Sequence, residues 1–236
     1  MKIGICSDLH MEFRKAEAAV SVLEKIQKTE CDLLINAGDT HPNLSMRGYF
    51  SSQLREGKQF YFEVLGNHDF YGGQMIQDGI QIMVLPNGMK LLGCTFWTDF
   101  NSGDPAAEMA FRHQIVDNFQ IKPGSVALVE RMKEIHKANL DVISKEKPDI
   151  VVTHHAPSFL SVAEQYKAAG MINYSFVSNE DNFIRANPNI KYWFHGHTHN
   201  PVDYMIGDCR VIANQLGYPE EIYWCDSDYE VKVIEL

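Results

Sequence analysis

The sequence predicts an α/β fold, on three observations. Short apolar, β-compatible runs alternate with stretches of helical periodicity. Several of those runs end in clusters of Asp, Asn and His, the arrangement of a site built at strand ends. The 236 residues suffice for one domain with a well-buried core, so residues 1–236 are read as a single domain.

The first run, Ile3 to Cys6, suits a central strand covered on both faces. It ends in Ser7-Asp8-Leu9-His10, where strand alternation would send Asp8 and His10 to one side and offer a cation an oxygen and a nitrogen. Ala16 to Lys28 reads as an amphipathic helix, with Ala16, Ala19, Val20, Leu23 and Ile26 near one face. Leu33 to Asn36 is the next strand, which makes a right-handed βαβ unit. Gly38-Asp39 follows it, in the position that Asp8 holds after the first strand. Asp39 is therefore a candidate to share a metal with Asp8. A short helix is expected near Ser45 to Leu54, and a strand from Phe60 to Leu65.

That strand delivers Gly66-Asn67-His68-Asp69, around which the chain is organised: Asn67 can bind a metal and His68 can move a proton. Tyr71-Gly72-Gly73 suggests a mobile loop at the rim. Gln81 to Leu85 and Lys90 to Phe96, joined through Asn87-Gly88, read as a hairpin. Phe96 is assigned to the core; Trp97 is either core or pocket wall. Residues 102–124 are irregular, broken by Gly103, Pro105, Pro123 and Gly124, with a short helix from Ala106 to His113. An insertion around 98–127 is where substrate choice is expected to sit. His113 and Asp117 within it could be site residues, although lone polar residues in a loop are more often merely solvated.

Leu128 to Lys145 has the period of a helix, and its His136 needs no role. After Pro148, the strand Ile150 to Val152 ends in Thr153-His154-His155. Adjacent side chains diverge, so His154 is the better ligand and His155 its support. Phe159 to Asn182 is expected to fold over the site as helix and loop. The run Lys191 to Phe194 leads to His195-Gly196-His197-Thr198-His199, three histidines too close to be explained by packing, since each buried imidazole needs polar partners. Antiparallel strands at Arg210 to Ala213 and Glu230 to Ile234 close the chain.

Composition narrows the class of function. The net charge of −10 argues against broad adhesion to nucleic acid or anionic membrane, and no run approaches the ~20 apolar residues of a membrane span. The amino terminus has too short an apolar run for a secretion signal. Cys6, Cys31, Cys94, Cys209 and Cys225 are scattered and read as free thiols of a reducing, cytoplasmic setting. No feature of the sequence specifies an oligomer.

Taken together, Asp8-x-His10, Gly38-Asp39, Gly66-Asn67-His68-Asp69, His154 and Gly196-His197-Thr198-His199 resemble, in order and spacing, the calcineurin-like metallophosphoesterase superfamily. The resemblance runs from residue 3 to about residue 200. It implies a four-layer αββα sandwich of two mixed sheets flanked by helices, with a two-metal site at the strand ends. It gives Asp8, His10 and His199 to one divalent transition-metal ion, Asn67, His154 and His197 to a second, and Asp39 to both. Manganese is the expected metal, with iron, zinc, cobalt or nickel also compatible with Asp, His and Asn donors. The implied reaction is hydrolysis of a phosphate ester by a hydroxide bridging ions about 3.5–4 Å apart, with His68 stabilising the transition state or protonating the leaving group.

One departure bears on substrate. Many phosphoprotein phosphatases of the superfamily continue Gly-Asp-x-x-Asp-Arg, where this chain has Gly38-Asp39-Thr40-His41-Pro42-Asn43. The aspartate that orients the histidine and the arginine that grips phosphate are both missing. The expectation is therefore a phosphodiester or a small, nucleotide-like phosphate ester as substrate. A nuclease on the same site and a non-catalytic scaffold are the alternatives.

Overall fold

The computed structural model describes every residue except 78, 123, 220, 222–225 and 227. Pro123 and Cys225, read above as a breaker and a free thiol, lie outside the described residues.

In chain order the elements are β1 (Lys2–Cys6), α1 (Ala16–Lys28), β2 (Leu33–Asn36), α2 (Leu44–Arg55), β3 (Phe60–Glu63), β4 (Gln81–Val84) and β5 (Lys90–Cys94). Then come α3 (Phe100–Gly103), α4 (Pro105–Gln114), α5 (Asp117–Gln120), α6 (Ser125–Glu146), β6 (Ile150–Thr153), α7 (Asp181–Ala186), β7 (Tyr192–His195), β8 (Val202–Ile206), β9 (Cys209–Ala213) and β10 (Lys232–Glu235). Short 3-10 segments at Met11–Phe13, His68–Phe70, Phe159–Ser161 and Glu164–Ser175 fill the connections.

Two mixed sheets result. The smaller runs β10-β1-β2-β3, with β1, β2 and β3 parallel and β10 antiparallel to β1. The larger runs β4-β5-β6-β7-β9-β8, parallel in its middle and antiparallel at both edges. Side-chain alternation makes the layers. Ile3, Ile5, Leu33, Ile35 and Phe62 of the smaller sheet meet Leu91, Ile150, Val152, Phe194 and Ile212 of the larger in one core. Cys6 and Leu34 face outward against Val22, Leu23 and Ile26 of α1 and Phe50 and Leu54 of α2. On the far side Leu92, Val151, Trp193 and Val211 pack on Ile143 of α6 and Ile184 of α7. The fold is thus the four-layer αββα sandwich. The sheets press together at Gly93, where a Cβ would stand 2.3 Å from a ring carbon of Phe62.

Two differences from the sequence expectation, and one reading it left open, have physical causes. The strand β8 was not foreseen: it is a half-exposed edge strand, whose alternation of Val202, Tyr204 and Ile206 is masked by the neighbouring histidine cluster. Of the two readings left open for Trp97, core is the one found: it is fully buried, packed on Phe70 and His155. The stretch 98–127 is mostly helical rather than irregular, since Phe100, Phe111, Ile121 and Leu128 build a separate cluster with Trp97 and Phe70 at the rim.

Candidate metal centre

The parallel strands β1, β2 and β3 all end on one side, and their following loops carry Asp8 and His10, Asp39, and Asn67 and His68. From the other sheet, β6 and β7 end beside them with His154, His197 and His199. Asp8 and His10 do not converge by strand alternation, however. The strand stops at Cys6, and both residues lie in the left-handed region, φ 52° and 41°. Asp39 (57°), His197 (67°) and His199 (45°) do the same. Such backbone costs about 1–2 kcal/mol per non-glycine residue, and strain of this kind gathers at functional sites.

Beside a group of His10, Asp39 and His68, two further groups of donors form at these strand ends among the described residues. Asp8, His10 and His199 offer ligand atoms within 4.8 Å of one another, and so do Asp39, His154 and His197. Asp39 lies between them: one carboxylate oxygen is 3.7 Å from His10 Nε2 and 3.4 Å from His154 Nε2. Its other oxygen accepts the His68 amide N–H at 2.9 Å. The amide of His197 donates to both oxygens of Asp8. Burial alone would push the Asp39 carboxyl up, but the imidazoles of His154, His68 and His10 hold it well below the usual range.

The donor set fits divalent cations. His10, His154 and His199 each engage an acceptor through the outer nitrogen Nδ1, namely Glu12 at 3.2 Å, the Ala37 carbonyl at 2.8 Å and Glu221 at 2.6 Å. That arrangement assigns the proton to Nδ1 and turns each Nε2 lone pair inward. His10 Nε2 and His199 Nε2 then face each other at 3.0 Å, and His154 Nε2 faces Asn67 Oδ1 at 2.9 Å. Two lone pairs at such distances need a proton or a cation between them. The nearby carboxylates raise His154 to about 9 and His199 to about 10 against the effect of burial, so a cation competes there with protons. His197 Nε2 is buried without a partner.

Other residues tie these loops together. Asp69 is buried and accepts the N–H groups of Asp39, His41 and Gly66, joining the turns after β2 and β3. Burial, with the nearby Asp39 charge, pushes its carboxyl up to about 7. Arg47 donates to the Asp69 carbonyl. The ring of His155 packs with its centroid 4.1 Å from that of His197. The third histidine of the late cluster, His195, is turned away and bonded to the Ser161 hydroxyl.

Asp117 is not a solvated loop residue. It is buried, and one oxygen accepts both the Asn67 Nδ2 amide and the Tyr71 hydroxyl. This bond holds the Asn67 carbonyl oxygen toward His154. A single Asp in a loop carried no sign of that contact; only the fold brings residues 67 and 117 together. His113, by contrast, is exposed as expected. Likewise His136, given no role, is a buried tie between the Phe96 carbonyl and Glu180. Replacing Asp117 by Ala is expected to lower metal affinity about 10–100-fold, because Asn67 loses its orienting partner. Unchanged metal content on titration with a chelator would show that Asp117 is mere packing.

A cavity of about 440 Å³ opens at these groups, walled by Tyr71, Tyr166, Phe176 and Tyr218. Gln114, Ile115 and Val116 from the insertion also line it, as do Val162 and Asn173 from the segment after β6. A second cavity, about 730 Å³, adjoins it through His68, Tyr71, Val116 and Tyr218 and is bordered by Phe13 and Leu44. Among the described residues, no lysine or arginine lines either cavity.

Comparison with known proteins bears on this geometry. The family model described as calcineurin-like phosphoesterase matches residues 1–201. An uncharacterized protein, L509, of Acanthamoeba polyphaga mimivirus is 24% identical, with 91% of this chain and 90% of that one aligned. Two solved structures share the fold. Phosphopantetheinyl hydrolase (PptH) of Mycobacterium tuberculosis has a TM-score of 0.66 at 17% identity, covering 94% of this chain and 93% of that one. A dimetal phosphatase of Danio rerio has a TM-score of 0.57 at 11% identity, covering 99% and 91%.

Proposed function

The chain belongs to the calcineurin-like phosphoesterase family, and from that premise we propose that it hydrolyses a small phosphodiester or nucleotide-like phosphate ester at the donor cluster around Asp39. It is a phosphoric ester hydrolase of a divalent-metal-dependent family. In our reading Asp8, His10 and His199 hold one ion, and Asn67, His154 and His197 the other. Asp39 serves both, and manganese is the metal. The observation that carries this is the pair of donor groups meeting at one carboxylate, with His68 bonded to that carboxylate through its own amide.

When bound, the ions supply positive charge for the phosphoryl oxygens and a water made acidic enough to attack at neutral pH. The chain's own part is positional. Asp39 and Asp8 hold the imidazoles in place, Asn67 is oriented by Asp117, and His68 delivers a proton to the leaving oxygen from Nε2. The aromatic walls suit stacking on a base or another planar group. The lack of an arginine at Pro42-Asn43, and of lysine or arginine among the described lining residues, favours a diester monoanion over a monoester dianion. Residues 98–127, which contribute part of the wall, are assigned to substrate selection within a single domain. Among the described residues no helix is long and apolar enough to cross a membrane. The free thiols of Cys6, Cys31, Cys94 and Cys209 support a reducing, cytoplasmic setting.

Bis-p-nitrophenyl phosphate and p-nitrophenyl phosphate, offered to metal-stripped protein reloaded with manganese, separate the readings. We expect faster turnover of the diester, dependent on metal and lost in Asn67→Ala. Turnover of the monoester alone would replace diesterase by phosphatase, and no turnover with any of the five metals would favour the scaffold. A nuclease would cleave single-stranded oligonucleotides under the same conditions; the net charge of −10 weighs against it.

A further inference from the structure

His68 needs something to aim it, and nothing at residues 42–43 does so. The residue that touches it comes from a different loop. Glu12 stands in the 3-10 turn Met11–Phe13, and a single oxygen, Oε1, lies 3.2 Å from Nδ1 of His68 and 3.2 Å from Nδ1 of His10. The two rings meet edge to face, with centroids 4.5 Å apart. The other oxygen of Glu12 is buried without a partner, a cost the fold carries at this position.

The turn is itself anchored. Buried Arg14 donates to the carbonyls of Leu9 and His10 and to that of Gly217. Gly217 precedes Tyr218, whose hydroxyl is 3.0 Å from Nε2 of His68. Both nitrogens of the ring are thereby located: Nδ1 faces Glu12, and Nε2 faces the cavity in the direction marked by the Tyr218 oxygen.

We infer that Glu12 is the positioning residue of the reaction, a single carboxylate that aims His68 as proton donor while fixing the tautomer of His10. This rests on the reading of His68 given above. By accepting from Nδ1 of both rings, Glu12 keeps the His10 Nε2 lone pair free for a cation and leaves the Nε2–H of His68 to the substrate. As the bond from phosphorus to the leaving oxygen breaks and that from phosphorus to the oxygen of water forms, the leaving oxygen takes the proton from His68 Nε2. His68 remains neutral, with its Nδ1–H on Glu12, and is reprotonated from solvent. The proton lost by the attacking water goes to solvent, so atoms and charge balance.

The test uses a series of methyl aryl phosphates, from phenyl to p-nitrophenyl leaving groups, with manganese-loaded protein and its Glu12→Ala and Glu12→Gln variants. General-acid assistance is worth about 100-fold or more when the leaving group is poor. We expect kcat to fall by about that factor for the phenyl ester and less than about 10-fold for p-nitrophenyl, with KM little changed. In a His68→Asn background Glu12→Ala should add no dependence on the leaving group, any further loss through His10 being equal across the series. Independently of turnover, 15N-histidine NMR of zinc-loaded protein should show His10 as a single Nδ1–H tautomer, and His68, once its Nε2 proton has been removed at high pH, keeping its remaining proton on Nδ1 in the parent, with both rings mixed in both variants. An equal loss across the series, a loss that only follows metal content, or an unchanged NMR tautomer would overturn the role of Glu12. If His68→Asn itself loses equally on every ester, it is the proton-donor reading that has failed, and the Glu12 inference falls with it.

Discussion

Replacing Asp39 by Asn is expected to abolish turnover and strip the protein of metal while leaving it folded. The substitution preserves shape, so the change is one of charge and of donor character. An amide would keep one oxygen for the His68 N–H and turn an N–H₂ toward His10 and His154, where the carboxylate oxygen now lies 3.7 and 3.4 Å from their Nε2 atoms. Even outer hydrogen-bond partners of a ligand are worth about 10–100-fold in metal affinity or activity. If Asp39 serves both ions as proposed, its loss should exceed that, so a fall of at least about 100-fold in turnover is expected, with both ions weakened together. Elemental analysis after gel filtration, beside circular dichroism for the fold, checks it. If the Asp39→Asn variant retained full metal and full turnover, Asp39 would not be the shared ligand.

Gly66→Ala should be nearly as damaging for a purely steric reason. A Cβ at Gly66 would lie 2.1 Å from Asp39 Oδ1 and 2.6 Å from His154 Cε1, with both partners buried and bonded in place. Something must shift, and it is the pair of side chains on which the donor cluster turns. Overpacking of this kind costs about 1–3 kcal/mol. For a chain of this size that is about 2–4 °C of melting temperature per kcal/mol. The larger effect is expected on metal affinity, since both displaced groups are donors. Gly48→Ala is the control: it sits within α2 with nothing within 4 Å, and should be stabilising by about 0.5–1 kcal/mol. Equal melting behaviour and metal content in the two variants would refute the steric account.

Much of this architecture was legible in the chain alone. The runs Ile3–Cys6, Leu33–Asn36 and Ile150–Val152 announced buried parallel strands because each is apolar almost throughout, and Asn87-Gly88 announced the hairpin of β4 and β5 because few residues tolerate that turn. The polar residues at strand ends could be named because each follows an apolar run or sits in a close histidine cluster. The edge strand β8 was lost, being half exposed and short of continuous apolar pattern.

What the sequence by itself determined was therefore local: which segments of continuous apolar run or helical period form strands and helices, and which side chains of ligand type end them. Periodicity and chemical type are properties of neighbours in the chain, and they survive without a fold. What only the tertiary structure decided is which side chains of distant segments share a proton, a charge or a wall. Asp117 reaches Asn67 across 50 residues, Tyr218 reaches His68 across 150, and Glu12 reaches His68 across 56. Such contacts leave no period in the sequence. They arise because packing two twisted sheets brings loops from opposite ends of the chain to one rim, where a lone Glu or Asp acquires its meaning from whatever nitrogen it faces.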